Sequence, residues 1–195
     1  MGDSQAYPVF RTSDAATAYA KARALCTLLW DREDRVCLFT ELLTVQDVRR
    51  MAAVLPGATF EYTGWRTGPA GEDLWFDLDV TTADDRALEP HLPLEILGMK
   101  APVGVEDRFV AALGRGMAAI DWYGSWPDRP EAHQYADPKS DGVQVVFHGD
   151  NPDFASRTHD HTVFVHVSKW GCRSRAQDLA SRIGGKVLGE PLRGW

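Results

Sequence analysis

The chain has few of the residues that disulfide or redox chemistry requires. Its 195 residues contain three cysteines, Cys26, Cys37 and Cys172, which are far apart and form no Cys-x-x-Cys pair. An odd number of isolated cysteines, two of them in apolar segments, is typical of reduced thiols. No apolar run approaches the ~18 residues of a membrane helix, and the N-terminus has neither the basic start nor the apolar stretch of a secretory signal. We therefore expect a cytoplasmic protein that contacts no membrane.

The sequence also lacks the motifs of several common enzyme families. It contains no Gly-x-Ser-x-Gly elbow, no P-loop and no glycine pattern for dinucleotide binding. It has a single asparagine, and arginine outnumbers lysine 16 to 5, which indicates a GC-rich, bacterial genome. With 44% hydrophobic and 25% charged residues, the composition excludes a disordered or fibrous protein.

Acidic charge is concentrated in residues 72–95. This segment holds eight acids and one base, Arg86, so it carries the whole formal charge of −7. The acids are Glu72, Asp73, Asp77, Asp79, Asp84, Asp85, Glu89 and Glu95. Such a segment repels phosphate backbones and attracts basic surfaces, so nucleic-acid binding is not expected. A charged, solvated sheet edge that protects against aggregation would show the same composition.

Residues 73–80 alternate in character with the two-residue period of a strand. One face carries the apolar residues Leu74, Phe76, Leu78 and Val80. The other face carries Asp73, Trp75, Asp77 and Asp79. The pattern predicts a half-buried strand whose outer face is acidic and carries a tryptophan. It forms the outer arm of a long-looped hairpin with residues 59–65.

Apolar spacing, caps and turn residues predict the other elements. Helices are expected over residues 13–30, 45–55, 105–120 and 174–183, and further strands at 36–39, 143–147, 161–167 and 186–188. The order over residues 35–148 is β-α-β-β-α-β, a ferredoxin-like (split βαβ) core. The predicted fold is one α+β domain over residues 1–195 with a mixed or antiparallel sheet, an N-terminal helix and a C-terminal β-α-β extension. Two modules, 1–100 and 101–195, are the alternative.

Residues 121–141 have no period and combine two tryptophans, two tyrosines and three prolines, which predicts a long loop. Tryptophan, tyrosine and arginine dominate interface hot spots. We therefore predict a partner-binding set of Asp77, Asp79, Trp75, Trp122 and Trp126. The alternative is that the aromatic loop folds back as a lid over the core.

Four of the six histidines lie within residues 148–166. If these residues form a hairpin, His148, His159 and His161 come together and could hold a divalent transition metal such as zinc. Ordinary polar turn residues would show the same spacing, and His166 is expected to be a hydrogen-bonded core residue.

Two functions from different classes follow from these features. The first is a small acidic cytoplasmic protein that binds a basic protein partner, as immunity or antitoxin-like proteins do, without a cofactor. The second is a metal-dependent hydrolase or related enzyme that uses the histidines of residues 148–166. The firmer observation is the charge concentration, which favours the binding protein. A homodimer is compatible with the sequence, because the acidic segment and the basic C-terminal tail are complementary in charge.

Overall fold

The computed structural model describes residues 4–127, 141–168 and 173–195, which form eight strands and five α-helices. The strands are β1 (Ser4–Thr12), β2 (Arg35–Leu42), β3 (Glu61–Tyr62), β4 (Leu94–Pro102), β5 (Ala118–Tyr123), β6 (Gly142–Phe147), β7 (His161–Ser168) and β8 (Leu192–Arg193). The helices are α1 (Ala15–Cys26), α2 (Val45–Val54), α3 (Asp85–Leu88), α4 (Glu106–Ala112) and α5 (Arg173–Arg182), with a 3-10 turn at Glu89–His91. The pairs β1–β7, β1–β8, β3–β4 and β6–β7 are antiparallel. The protein is thus a mixed α/β structure.

The chain divides into two compact units. Unit 1 consists of Met1–Val36 and Ala119–Trp195, and unit 2 consists of Cys37–Ala118. Unit 2 is therefore an insertion in the sequence of unit 1. The predicted alternative division at residue 100 does not coincide with these units.

Unit 1 has the strand order β5-β6-β7-β1-β8. Helix α1 packs against β6 and β7, and α5 packs against β1 and β7. Every residue of β6 and β7 is buried, although β7 includes the polar side chains of His161, Thr162, His166 and Ser168. Both strands were predicted and are confirmed. Strand β1 was missed, because Pro8 interrupts its pattern and its partner β7 lies about 160 residues further along the chain.

Local signals placed the start of α1 to within two residues. Asp14 caps the helix, since its Oδ2 accepts a hydrogen bond from the Thr17 amide at 3.1 Å. The helix ends at Cys26, four residues before the predicted end at Trp30. The predicted strand at 186–188 is wrong, because the last strand is β8.

Unit 2 has the strand order β3-β4-β2, and its helices α2 and α4 pack together. Helix α2 begins at the predicted residue, Val45, after a capping box. The Thr44 hydroxyl accepts from the Asp47 amide at 3.1 Å, and the Asp47 carboxylate accepts from the Thr44 amide at 2.9 Å.

The predicted helix over residues 105–120 is wrong beyond Ala112, because β5 begins at Ala118. Two glycines explain the change. A Cβ at Gly114 would lie 2.3 Å from the Asp47 carboxylate, and one at Gly116 would lie 2.3 Å from the Glu41 carbonyl oxygen. These glycines end the helix and allow close packing. Strand β4 was also missed, because no element was predicted over its residues.

The capping box predicts a measurable stability contribution. Thr44→Ala removes the acceptor for the Asp47 amide and should lower the free energy of unfolding by about 1 kcal/mol. Thr44→Ser keeps the hydroxyl and should cost only a few tenths of that amount. Urea denaturation of the three proteins measures the difference, and equal losses in both variants would contradict it.

Candidate partner-binding grooves

Residues 73–80 do not form the predicted strand. The arms of the hairpin pair only near its tip, through a bridge between Thr67 and Asp73 and a hydrogen bond from the Leu74 amide to the Arg66 carbonyl at 2.9 Å. The predicted alternation still holds for most positions. Val80 is buried and Phe76 is half-buried, whereas Trp75 is 69% exposed. Asp77 and Asp79 are exposed, Leu78 is half-buried, and Leu74 departs from the pattern because it is 41% exposed.

The arms separate beyond Leu74, and two cavities open beside them. We call the cavity of about 290 Å³ between Tyr62, Trp65, Trp75 and Leu97 the tryptophan groove. The cavity of about 470 Å³ lined by Asp77, Asp79 and the end of α2 is the aspartate groove. Both are lined by Thr59, Phe60 and Phe76, so they adjoin along the same two arms.

The tryptophan groove gathers exposed apolar side chains. Trp65 is 83% exposed and meets Trp75 edge to face, with ring centroids 6.3 Å apart. The described residues include seven exposed large apolar side chains, and four of them line this groove. The four are Trp65, Leu74, Trp75 and Leu97. A concentration of this kind marks a surface for binding.

Two carboxylates border the same groove. Glu61 of β3 is directly opposite Glu95 of β4 in the antiparallel register. Burial raises the pKa of Glu95, and the nearby carboxylates of Glu61 and Glu41 raise it further. Like charges on opposed strand positions destabilise each other, so a cation placed here would relieve their repulsion.

The groove also contains one cation, Arg66. Its guanidinium lies over the Tyr62 ring, 4.2 Å from the centroid, and donates a hydrogen bond to the Leu92 carbonyl at 3.2 Å. In the described part of the chain, Arg66 has no carboxylate within 4.0 Å, so it leaves Glu61 and Glu95 unpaired.

The described bases of the protein leave most of the acidic segment without ion pairs. Among its eight acids, only Asp85 forms an ion pair with another described residue, to Arg49 at 2.9 Å. The Asp79 carboxylate accepts hydrogen bonds from the hydroxyl and amide of Thr81 and from Thr82, which lower its pKa and keep it charged. The exposed face of the segment therefore remains strongly anionic.

Trp122 and Trp126 were predicted to contact a partner. Both are buried in unit 1, which argues against that prediction. Trp122 is 1% exposed and stacks on Tyr19 of α1, with ring centroids 6.3 Å apart. Trp126 is 2% exposed, and its Nε1 donates to the His166 carbonyl at 2.7 Å. The predicted loop at 121–141 begins inside β5, and residues 128–140 of that loop lie outside the described residues.

Of the three predicted metal ligands, the structure brings His148 and His161 together, with ring centroids 4.7 Å apart, but it shows no three-ligand site among the described residues. The Nδ1 of His161 is buried and accepts a hydrogen bond from the His148 amide at 3.0 Å, so this lone pair is occupied. His159 is exposed in a bend before β7, so it does not share a strand face with His161. Burial, followed by the nearby His148, lowers the pKa of His161. Within residues 4–127, 141–168 and 173–195, no three His, Cys, Asp or Glu side chains lie close enough to hold a metal.

His166 is a hydrogen-bonded core residue, as predicted. It is fully buried, and burial holds its pKa well below the usual value. Ser4 Oγ lies 3.1 Å from its Nδ1, and Gln144 Oε1 lies 3.3 Å from its Nε2. The Trp195 ring stacks on the imidazole with centroids 3.4 Å apart.

Sequence reasoning missed this network because its members are distant in the chain. It also missed Asp121, which precedes Trp122 in β5. The Oδ1 atom of Asp121 is inaccessible and has no hydrogen-bond partner among the described residues. Burial raises the pKa of Asp121 to about 7, and a hydrogen bond with Gln144 opposes that shift.

Comparisons with known proteins give no further guidance. Neither a protein-family model, nor a curated protein, nor a solved structure matches the chain. The ferredoxin-like core therefore stays a prediction. None of the described helices combines the length and the apolar character that crossing a membrane requires.

Asp121 makes stability depend on pH. Because its folded pKa is raised to about 7 from its ordinary value of 3.8, the carboxyl contributes stability below pH 3.8 that is lost as the pH rises through 7. Asp121→Asn removes the charge and should raise the melting temperature at pH 8, by about 2–4 °C for each kcal/mol relieved. Thermal melts at pH 5 and pH 8 measure the effect. A variant that loses stability equally at both values would contradict the assignment.

Proposed function

We propose that the protein binds a basic protein partner through the two grooves of unit 2, as immunity or antitoxin-like proteins bind their targets. The observation that carries the proposal is that the exposed tryptophans lie next to carboxylates. Trp65 and Trp75 lie at a groove bordered by Glu61 and Glu95, and the adjoining groove is lined by Asp77. Apolar anchors surrounded by carboxylates fit a cationic surface better than an anionic or neutral one.

The indole rings supply the anchor. A lysine or arginine side chain can lie against the face of a tryptophan while its charge remains near a carboxylate. Arg66 already places its guanidinium over the Tyr62 ring within the groove, so the protein's own residues use this interaction. Arg66 also repels a second cation, so a partner's positive charge should bind on the side of the groove that carries Glu61 and Glu95.

The carboxylates supply the attraction at longer range. With seven of the eight acids of residues 72–95 unpaired among the described residues, the segment raises the rate of encounter with a basic surface. Such steering acts over about 8–10 Å at physiological ionic strength and weakens as salt is added. The aspartates therefore affect association, and the tryptophans affect dissociation.

The alternative of a metal-dependent hydrolase has less support. The rings of His148 and His161 lie 4.7 Å apart, but His159 is exposed while His161 is buried, and the described histidines form no three-ligand site. The binding function is therefore the one we propose.

We also propose that both units are variations of the ferredoxin-like arrangement. In unit 1, the elements β1, α1, β6, β7, α5 and β8 have the order β-α-β-β-α-β if the insertion and β5 are set aside, and their strands have the order β6-β7-β1-β8. In unit 2, the elements β2, α2, β3, β4 and α4 begin the same series if the short α3 is set aside. The shared order supports two related modules, one inserted in the other.

The aspartates should control the association rate. Asp77→Lys/Asp79→Lys reverses the charge on the outer face of the segment and should slow association with an octalysine peptide about tenfold at low salt. The dependence of the rate on salt should flatten as well. Stopped-flow fluorescence of the exposed tryptophans measures both quantities.

The matched control for this pair is Asp34→Lys/Asp153→Lys, which makes the same change in net charge at exposed positions of unit 1. It should leave most of the association rate intact. Equal slowing in both double variants would show a general charge effect and would count against a site in unit 2.

Trp75 should contribute to affinity rather than to the association rate. Trp75→Ala should weaken octalysine binding by about two- to fivefold, the range of an exposed cation–π contact of about 0.5–1 kcal/mol. Trp30→Ala is the control, since Trp30 is also a largely exposed indole, at 60%, but lies in unit 1. Isothermal titration calorimetry compares the dissociation constants, and equal affinities for all three proteins would argue against the groove.

A further inference from the structure

Residues 75–79 belong to the acidic arm of the hairpin, and most of their backbone groups have no hydrogen-bond partner among the described residues. Five consecutive amides, those of residues 75–79, donate no hydrogen bond to any described residue. The carbonyl groups of residues 75–78 likewise accept none from the described chain. Hydrogen bonding resumes directly after this stretch. The Asp79 carbonyl accepts from the Ala83 amide at 2.9 Å, and the Val80 carbonyl accepts from Arg49.

The burial of the side chains in this stretch nevertheless alternates as in a strand, since Trp75 and Asp77 are exposed and Phe76 is half-buried. The Phe76 ring holds it to the facing arm, meeting Tyr62 edge to face at 5.9 Å between centroids. The two arms are thus joined through side chains, while the backbone of residues 75–78 pairs with no described residue. A backbone segment with free donors and acceptors and alternating side chains is a template for another strand.

We infer that the partner is recognised as an extended basic segment that adds a strand to residues 75–79. This inference rests on the proposed function, since it specifies the part of the basic partner that the grooves bind. Backbone hydrogen bonds would hold the segment in place, and alternate side chains would determine its identity. Five residues of strand span about 16 Å, so a partner segment of five to seven residues covers the site.

Charge complementarity defines the partner's sequence. Side chains on one face of a new strand lie beside Trp75, Asp77 and Asp79, and oppositely charged pairs across strands stabilise a sheet. The other face lies over Phe76 and Leu78, which are apolar. The segment that fits best therefore alternates lysine or arginine with an apolar residue such as valine.

Two peptides with the same composition test the inference on the full chain. The first is Lys-Val-Lys-Val-Lys-Val-Lys with all residues of L configuration. The second has the same sequence with D-lysines, so it keeps the charge but cannot extend with its side chains in the normal alternation of a strand. The dissociation constants and the amide exchange rates of residues 75–79 are measured by NMR on isotope-labelled protein.

Strand addition predicts that the L peptide binds at least about tenfold more tightly than the D-lysine peptide, because only it can pair along its length. At saturation, exchange should slow by about fivefold or more at alternate amides, either at residues 75, 77 and 79 or at residues 76 and 78. Only one set is protected, because successive amides of a strand point to opposite edges.

The other outcomes separate this inference from the proposed function. Equal binding of the two peptides, with no alternate protection, overturns strand addition and leaves a basic partner bound by charge. Selective binding of the L peptide that protects amides elsewhere places the site outside residues 75–79 and overturns the inference. If neither peptide nor octalysine binds, both the inference and the proposed function are overturned.

Discussion

The separation of the two hairpin arms is the feature on which the binding surface of unit 2 depends. The arms pair at Thr67 and Asp73 and then diverge, so residues 75–78 gain no ladder hydrogen bonds. Gly64, with a φ of +77°, redirects the chain directly after β3, a conformation that glycine adopts without steric cost. Aromatic contact between Tyr62 and Phe76 then keeps the arms associated while the cavities remain open beside them.

That separation also explains why polar and apolar groups are exposed together. In a closed hairpin, the alternation of residues 74–80 would bury one complete face. Here Leu74 and Trp75 are adjacent and both exposed, and Glu95 shares a half-buried site with Glu61. Exposed indoles and crowded carboxylates each cost free energy in the isolated chain, and a cationic partner offsets both costs.

In unit 1, by contrast, several polar side chains are buried and hydrogen-bonded to one another. His166, Ser4 and Gln144 form a connected network inside the sheet, where each ring nitrogen of the histidine has a partner. Such a network stabilises the interior only when its members are satisfied. Asp121 is the incomplete member, because its Oδ1 has no hydrogen-bond partner among the described residues. Trp122 and Trp126 belong to this interior, where one indole packs on Tyr19 and the other donates to a backbone carbonyl.

The residues themselves determined the features that act over a few positions. Capping chemistry at Thr44 and Asp47, the strand signals of β6 and β7, the alternation of residues 75–80 and the charge of residues 72–95 could all be read locally. Tertiary structure decided the rest. Whether Trp75 or Trp122 is exposed, whether His159 approaches His161, and whether the acidic arm finds a strand partner depend on contacts between segments far apart in sequence. Burial and pairing are properties of those contacts, whereas a local pattern specifies only which side chains point the same way.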